Sequence, residues 1–369
     1  MFLFLVLFGC TEQTLPAVPT LTAPPLPSAT LSPLPPSSTP TASPSPTATL
    51  RPSQTATPTI TPTPAPTFTP VPLELFASPV LRPGVVASAY IADTCQYLRL
   101  RWAEGSSSPG TVVVPVMFHS IVQPGTKIND PKDIGVEDFQ AFVRYAQYLG
   151  FETITTAQLI DFLYNNAPIP LHSMILIVDD RRPGLLEEHF MPVLEANDWT
   201  VTPAYIADPS SFNWAWEWMD RLYARGRLDV QSHGYTGQLY VLPETSEEDI
   251  QNEIWNSTTV LEERFGQRPL AFIWPGGNFS PLSVQVAREG GYQLGFTAYS
   301  RGPVLFNWVP QGPEEQLIGD PLMLLPRAWS NSVNVNLDEA VKVSEQAAAF
   351  AEANRQLEAD WYAQYCSGE

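Results

Sequence analysis

Lysine is the scarcest charged residue here. Lys127, Lys132 and Lys342 are the only three, and 19 Lys+Arg face 38 Asp+Glu for a net charge of −19. So acidic a chain repels phosphate backbones, which excludes a nucleic-acid reader. Cysteine is equally sparse: Cys10, Cys95 and Cys366 show no CxxC spacing, so a cysteine-built zinc site is ruled out. No internal apolar run approaches the ~20 residues of a membrane span, and nothing after the N-terminus reads as a bilayer crossing. Proline, by contrast, is plentiful and unevenly placed. Of 39 prolines, 18 fall between Thr11 and Leu75, among Thr, Ser and Ala, with only Arg51, Glu12 and Glu74 charged. Such a segment buries too little apolar surface to offset the entropy of ordering, so residues 11–75 are predicted to be a disordered linker. In polyproline II geometry, at ~3.1 Å per residue, it could reach ~200 Å. The foldable remainder, from Phe76, is roughly 290 residues and can form a substantial core.

Met1–Gly9 (MFLFLVLFG) is apolar throughout, and Cys10 follows. Leu7-Phe8-Gly9-Cys10 resembles the lipobox of a bacterial lipoprotein, in which Cys10 is the lipidated residue. The basic n-region and longer apolar core of a signal peptide are missing, which points to a start upstream of Met1. Residues 1–10 therefore read as a signal-peptide remnant, and the protein as exported, membrane-anchored or on the cell surface, with the linker as its tether. Cys95 and Cys366 form an even pair at opposite ends of the foldable part, as a disulfide in an exported chain would. The bond would pin a C-terminal helix, expected from an Asn336 N-cap with Glu339 three residues on and an Ala-rich run from Ala340 to Ala359.

From Thr111 onward, β-branched runs alternate with helical patterns. Strands are expected at Val112–Phe118, Phe151–Thr155, Met174–Val178, Val201–Ile206, Leu228–Gln231, Leu270–Trp274, Leu294–Thr297 and Leu322–Leu325. Pro115 inside the first argues for an edge strand or a distortion. Helices are expected at Val136–Leu149, Thr156–Asn165, Leu185–Asn197, Trp214–Gly226 and Ser246–Phe265. Repeated β-α units imply a parallel sheet flanked by helices, either open or closed into a barrel, with chemistry at the C-terminal strand ends. Those ends carry His119, Asp179-Asp180 followed by Arg181-Arg182, Ser232-His233-Gly234-Tyr235, Pro275-Gly276-Gly277 and Arg327. Two of the four histidines, His119 and His233, are among them. His172 and His189 lie elsewhere and read as structural.

The order Val114-Pro115-Val116-Met117-Phe118-His119, Glu137-Asp138-Phe139, Ile177-Val178-Asp179-Asp180, Ser232-His233 and Ile273-Trp274-Pro275-Gly276-Gly277 resembles the polysaccharide deacetylase family (NodB homology, carbohydrate esterase family 4). The likeness runs from about Val112 to Trp329. It implies a distorted (β/α)7 barrel over residues 111–330, after a leading segment at 76–110 and before a packed C-terminal helix at 331–369. It also implies removal of acetyl groups from N- or O-acetylated cell-surface polysaccharide, with a divalent metal, zinc first among candidates. Asp179 maps onto the family's catalytic base, Asp180 and His233 onto metal ligands, and Trp274, Pro275, Gly276, Gly277 and Tyr235 onto the substrate-binding rim.

Several working positions depart from the pattern. The second ligand histidine is due four residues after His233, where Gly237 stands. Arg181 replaces the glycine that follows the Asp pair. The late histidine that serves as general acid has no counterpart, and Arg327 is the residue offered there as a catalytic group. His119 is the histidine left to complete a metal shell, since a catalytic zinc takes three protein ligands. Arg181 or Arg182 could instead pair with the carboxylates and occupy the metal's place, or both could point outward to Glu187 and Glu188. Three functions therefore compete: a metal-dependent deacetylase, a carbohydrate-binding pseudoenzyme, and a surface spacer. Trp214, Trp216, Trp218, Trp274, Trp308 and Trp329 are candidate sugar platforms, although most tryptophans serve the core.

Overall fold

The computed structural model describes residues 72–366, apart from 129, 131, 239–241 and 243. Cys10, the apolar start and the Pro-rich stretch up to residue 71 lie outside the described residues. Along the chain run β1 (Val86–Ser88), α1 (Thr94–Arg101), β2 (Val112–Phe118), β3 (Ser120–Val122), β4 (Asp133–Gly135) and α2 (Val136–Tyr148). Next come β5 (Phe151–Thr153), α3 (Thr156–Asn165), β6 (His172–Asp179), α4 (Pro183–Leu185), α5 (Met191–Asn197), β7 (Thr202–Tyr205) and α6 (Asn213–Tyr223). Then follow β8 (Gln231–Ser232), α7 (Glu247–Phe265), β9 (Ala271–Ile273), α8 (Pro281–Glu289), β10 (Leu294–Phe296), β11 (Val304–Leu305) and β12 (Val309–Gln311). The chain ends with α9 (Pro313–Gln316), β13 (Ala328–Trp329) and α10 (Val333–Tyr365).

The expected α/β architecture is present as a curled parallel sheet. Its order is β10-β9-β8-β7-β6-β2, with β5 beside the first half of β6. The runs VVVPVMF and MILIV become its two central strands, β2 and β6, paired over seven residues and buried on both faces; continuous apolar runs are what a doubly covered parallel strand requires. The barrel is closed by one short segment. Leu325 bridges to Phe296 on β10, and three residues later β13 pairs with β2 through Ala328↔Val116 and Trp329↔Met117. Both edges of the curled sheet are thus served by Leu325–Trp329, and Arg327 lies at the seam.

Pro115 is not on an edge strand. The outer side of β2 is shared by β11, which pairs with Val112 and Val113, and β13, which pairs with Val116 and Met117. Pro115 falls between the two, where that side has no ladder partner, so its missing N–H costs little there.

Helices cover the sheet by their apolar stripes. In α2, Phe139, Phe142, Val143 and Ala146 are buried at helical spacing. In α7, the Ser246 hydroxyl accepts from the Asp249 N–H at 3.2 Å, and Glu247, Glu248 and Asp249 fill the first turn. The last helix starts earlier than its sequence suggested. It begins at Val333, so Asn336 is not the N-cap but lies within the first turns, donating to Ser332 O and accepting from the Ser300 hydroxyl. The expected strand Leu322–Leu325 is instead a 3-10 turn at Pro321–Met323 followed by the single bridge at Leu325, because Pro321 at the turn's first position favours a helical start. Helix α8 was not anticipated, although Ser280 and Ser283 cap it reciprocally just ahead of a buried Val284 and Val286. Cys95 on α1 is disulfide-bonded to Cys366 at the end of α10. Where α10 passes the C-terminal end of α1, buried Glu358 accepts from Arg101 at 3.1 Å and Trp102 at 2.7 Å.

Candidate functional site

Parallel strands bring their C-terminal ends to one mouth, and four of the expected residues meet there. His119 follows β2, Asp179 ends β6, Asp180 follows it and His233 follows β8. With Arg327 and Trp329 from the closing segment they line a single cleft of about 850 Å³. Asp180 has a positive φ of 70°, a left-handed geometry that turns its side chain off the strand line and that Asp tolerates better than most residues.

Asp179 is the electrostatic centre. Its Oδ1 accepts from Arg327 Nη1 at 2.6 Å, and its Oδ2 lies 3.3 Å from His119 Nε2. Arg327 is 1% exposed and donates its Nε–H to Thr297 O at 2.6 Å, so the seam of the barrel holds the guanidinium rigidly. Burial pushes the Asp179 carboxyl upward, but Arg327, His233 and His119 together outweigh it and hold the group below its ordinary value. His119 is pushed the other way. Burial lowers its pKa, with Asp179 opposing and Arg327 adding to the fall. The His119 Nδ1 is buried with no hydrogen-bond partner among the described residues.

The second pair is looser. His233 donates Nδ1–H to Ile273 O at 2.8 Å, which leaves Nε2 as the acceptor, 3.9 Å from Asp180 Oδ1. Asp180 Oδ2 accepts from Arg182 Nη2 at 3.1 Å. Arg181 does not enter the site. Its Nε donates to Ile206 O at 2.7 Å and its Nη2 to Asp208 O at 2.6 Å, so it braces the loop after β7. Neither arginine reaches Glu187 or Glu188, which accept instead from Trp218 and Gln123.

A zinc ion needs three protein donors. Asp180 and His233 supply two with the right tautomer and spacing. His119 faces Asp179 rather than Asp180. At the remaining position, Gly237 has φ 72°, and a Cβ there would lie 2.5 Å from Ile206 Cδ1. Sequence reading passed over Glu253, which is responsible for that geometry. Buried on α7, its carboxylate accepts from the Thr236 N–H and hydroxyl and from the Gly237 N–H at 2.9 Å, clamping the loop. A buried acid inside an amphipathic helix was the signal available. No group of three His, Cys, Asp or Glu side chains suited to a metal occurs among the described residues. The residues present do not fit a resident zinc.

The rim differs from expectation in part. Pro275 and Gly276 line the cleft. Trp274 does not: it is 1% exposed and donates to Met323 O at 2.8 Å, facing the core. Gly277 is buried, with Ala298 2.6 Å from where a Cβ would stand, and Tyr235 packs on the main core cluster, its N–H donating to Glu253 O. Trp216 and Trp308 are also buried. Trp329 alone of the six tryptophans reaches the cleft. His172 binds Leu149 O at the opposite end of β6, and His189 faces Glu188.

Residues 170–295 match the family model for polysaccharide deacetylase. That span holds Asp179, Asp180 and His233, whereas His119 and Arg327 lie outside it. Among solved structures, the chain is similar to the Streptococcus pyogenes deacetylase PplD in complex with acetate, at 18% identity and a TM-score of 0.51, over 63% of this chain and 99% of that one. It is also similar to IcaB from Ammonifex degensii, at 20% identity and a TM-score of 0.49, over 66% and 100%. No curated protein matches the chain.

Proposed function

Residues 170–295 match the polysaccharide deacetylase family, and from that premise we propose that the protein is an exported, glycan-binding member of the fold in which metal-assisted deacetylation has lapsed. One observation carries the reading. Where a third metal donor is due, the loop presents Gly237, tied to Glu253 and pressed on Ile206. The cleft around it is large enough for a sugar and keeps charged groups of both signs in fixed positions. The leading residues fit the same picture: a lipid on Cys10 and a tether over residues 11–75 would carry the domain, at 111–330, away from a membrane. The Cys95–Cys366 disulfide suits an oxidising compartment.

A hydrolytic reading keeps some support. Asp179 is held ionised by Arg327, as a general base must be, and His119 sits 3.3 Å away as a proton carrier. Zinc uptake by the full chain after chelation separates the two readings, together with acetate release from N-acetylglucosamine oligomers. Glycan binding without stoichiometric zinc or acetate, persisting in Asp179→Asn, is the expected result. One equivalent of zinc with acetate release that Asp179→Asn abolishes would establish the hydrolase instead.

A further inference from the structure

Beyond the main cleft, a second hollow of about 400 Å³ opens on the far side of Asp180. Its walls include Asp180, Arg182, Ser211, Phe212, Trp214 and Thr236. Two features set it apart from ordinary surface. Phe212 and Trp214 are 61% and 57% exposed, so neither ring is needed by the core, and their centroids lie 6.2 Å apart at 85°. Phe212 also has φ 59° and ψ 53°, a left-handed conformation that bulky side chains rarely adopt. Strain at an exposed aromatic persists only where the surroundings impose it. Here they do: Arg181 grips Ile206 O, Asp208 O and, at 3.1 Å, Ser211 O, fixing the loop that ends at Phe212.

We propose that this hollow is a secondary sugar subsite, taking a neighbouring pyranose of the same glycan chain whose acylated unit lies in the cleft. The proposal rests on the glycan-binding reading and extends it. Asp180 lines both hollows, so a linear oligosaccharide can pass from one to the other along a continuous surface. The flat C–H face of a pyranose stacks on an aromatic ring, while Arg182, Ser211 and Thr236 meet its hydroxyls. Arg181 thus acts as a positioning residue: it shapes the loop, and Phe212 and Trp214 make the contact.

The test uses the full chain with N-acetylglucosamine, its trimer and its pentamer, by calorimetry. Wild-type affinity is expected to rise with length. Trp214→Ala and Phe212→Gly should each lose about tenfold for the pentamer and leave the monomer unchanged. Phe212→Gly should at the same time raise Tm, because glycine adopts the left-handed conformation without strain. Pentamer affinity unchanged in both variants overturns the subsite and leaves the cleft reading intact. A loss of affinity that tracks a fall in Tm would mark Phe212 as structural and overturn it too. If the wild type binds no oligomer, the glycan-binding reading fails and the subsite with it.

Discussion

His119 shows how a single residue reports on the site. Its imidazole is buried against Asp179, and burial lowers its pKa below that of an unfolded histidine, about 6.5. Between the two values the unfolded chain takes up a proton that the native site refuses, so stability falls as pH drops through that window. The urea midpoint should therefore be lower at pH 5.5 than at pH 7.5, and His119→Gln should shrink the difference. An unchanged difference in the variant would show that the imidazole titrates freely. This residue was legible in the sequence as a strand-end histidine, as were Asp179, Asp180 and His233, because parallel strands deliver such residues to one rim. Arg327 was legible at that rim too, but its pairing with Asp179 was not. Arg181 is next to the carboxylates in sequence, yet Arg327, 148 residues away, makes the ion pair with Asp179. Sequence adjacency says nothing of which way a side chain leaves a left-handed turn such as that at Asp180. Trp274 misleads for a related reason: the strand it follows sends it into the core, and only its neighbours Pro275 and Gly276 reach the cleft.

At the level of elements, α10 has the clearest consequence. Its far end is joined to α1 by a disulfide spanning 271 residues, and crosslinking so long a loop removes much of the unfolded chain's freedom. Reduction, or Cys366→Ser, should cost about 3–5 kcal/mol, read as a fall in denaturant midpoint. Glycan affinity should survive it, because the crosslinked ends lie outside the residues lining the cleft. A loss of affinity at a denaturant concentration where the reduced chain stays folded would contradict that separation. Long β-branched runs and amphipathic stripes made the central strands β2 and β6 and the helices α2 and α7 readable. The closing segment was not readable, since one bridge at Leu325 and a two-residue strand at β13 leave no periodic signature. Its register is set by the curl of the whole sheet rather than by local propensity.

For the whole molecule, charge is the remaining determinant of partner choice. A net −19 produces a field felt at low ionic strength over about 30 Å at 0.01 M salt and about 8 Å at 0.15 M. Cleft residues such as Arg82, Lys132 and Arg301 are local exceptions, but at a distance the approaching polymer meets an acidic body. Polyanions should be repelled and glycans bearing free amines attracted. With oligomers of equal length, the fully N-acetylated chain should bind with little salt dependence. Its de-N-acetylated counterpart should associate faster at low salt and lose that advantage as salt is raised, because steering acts on the encounter more than on the contacts made afterwards. Stopped-flow association rates across this salt range measure the effect directly. Faster association of a sulfated polyanion than of the amine form would mean that the cationic lining of the cleft, not the acidic body, governs approach.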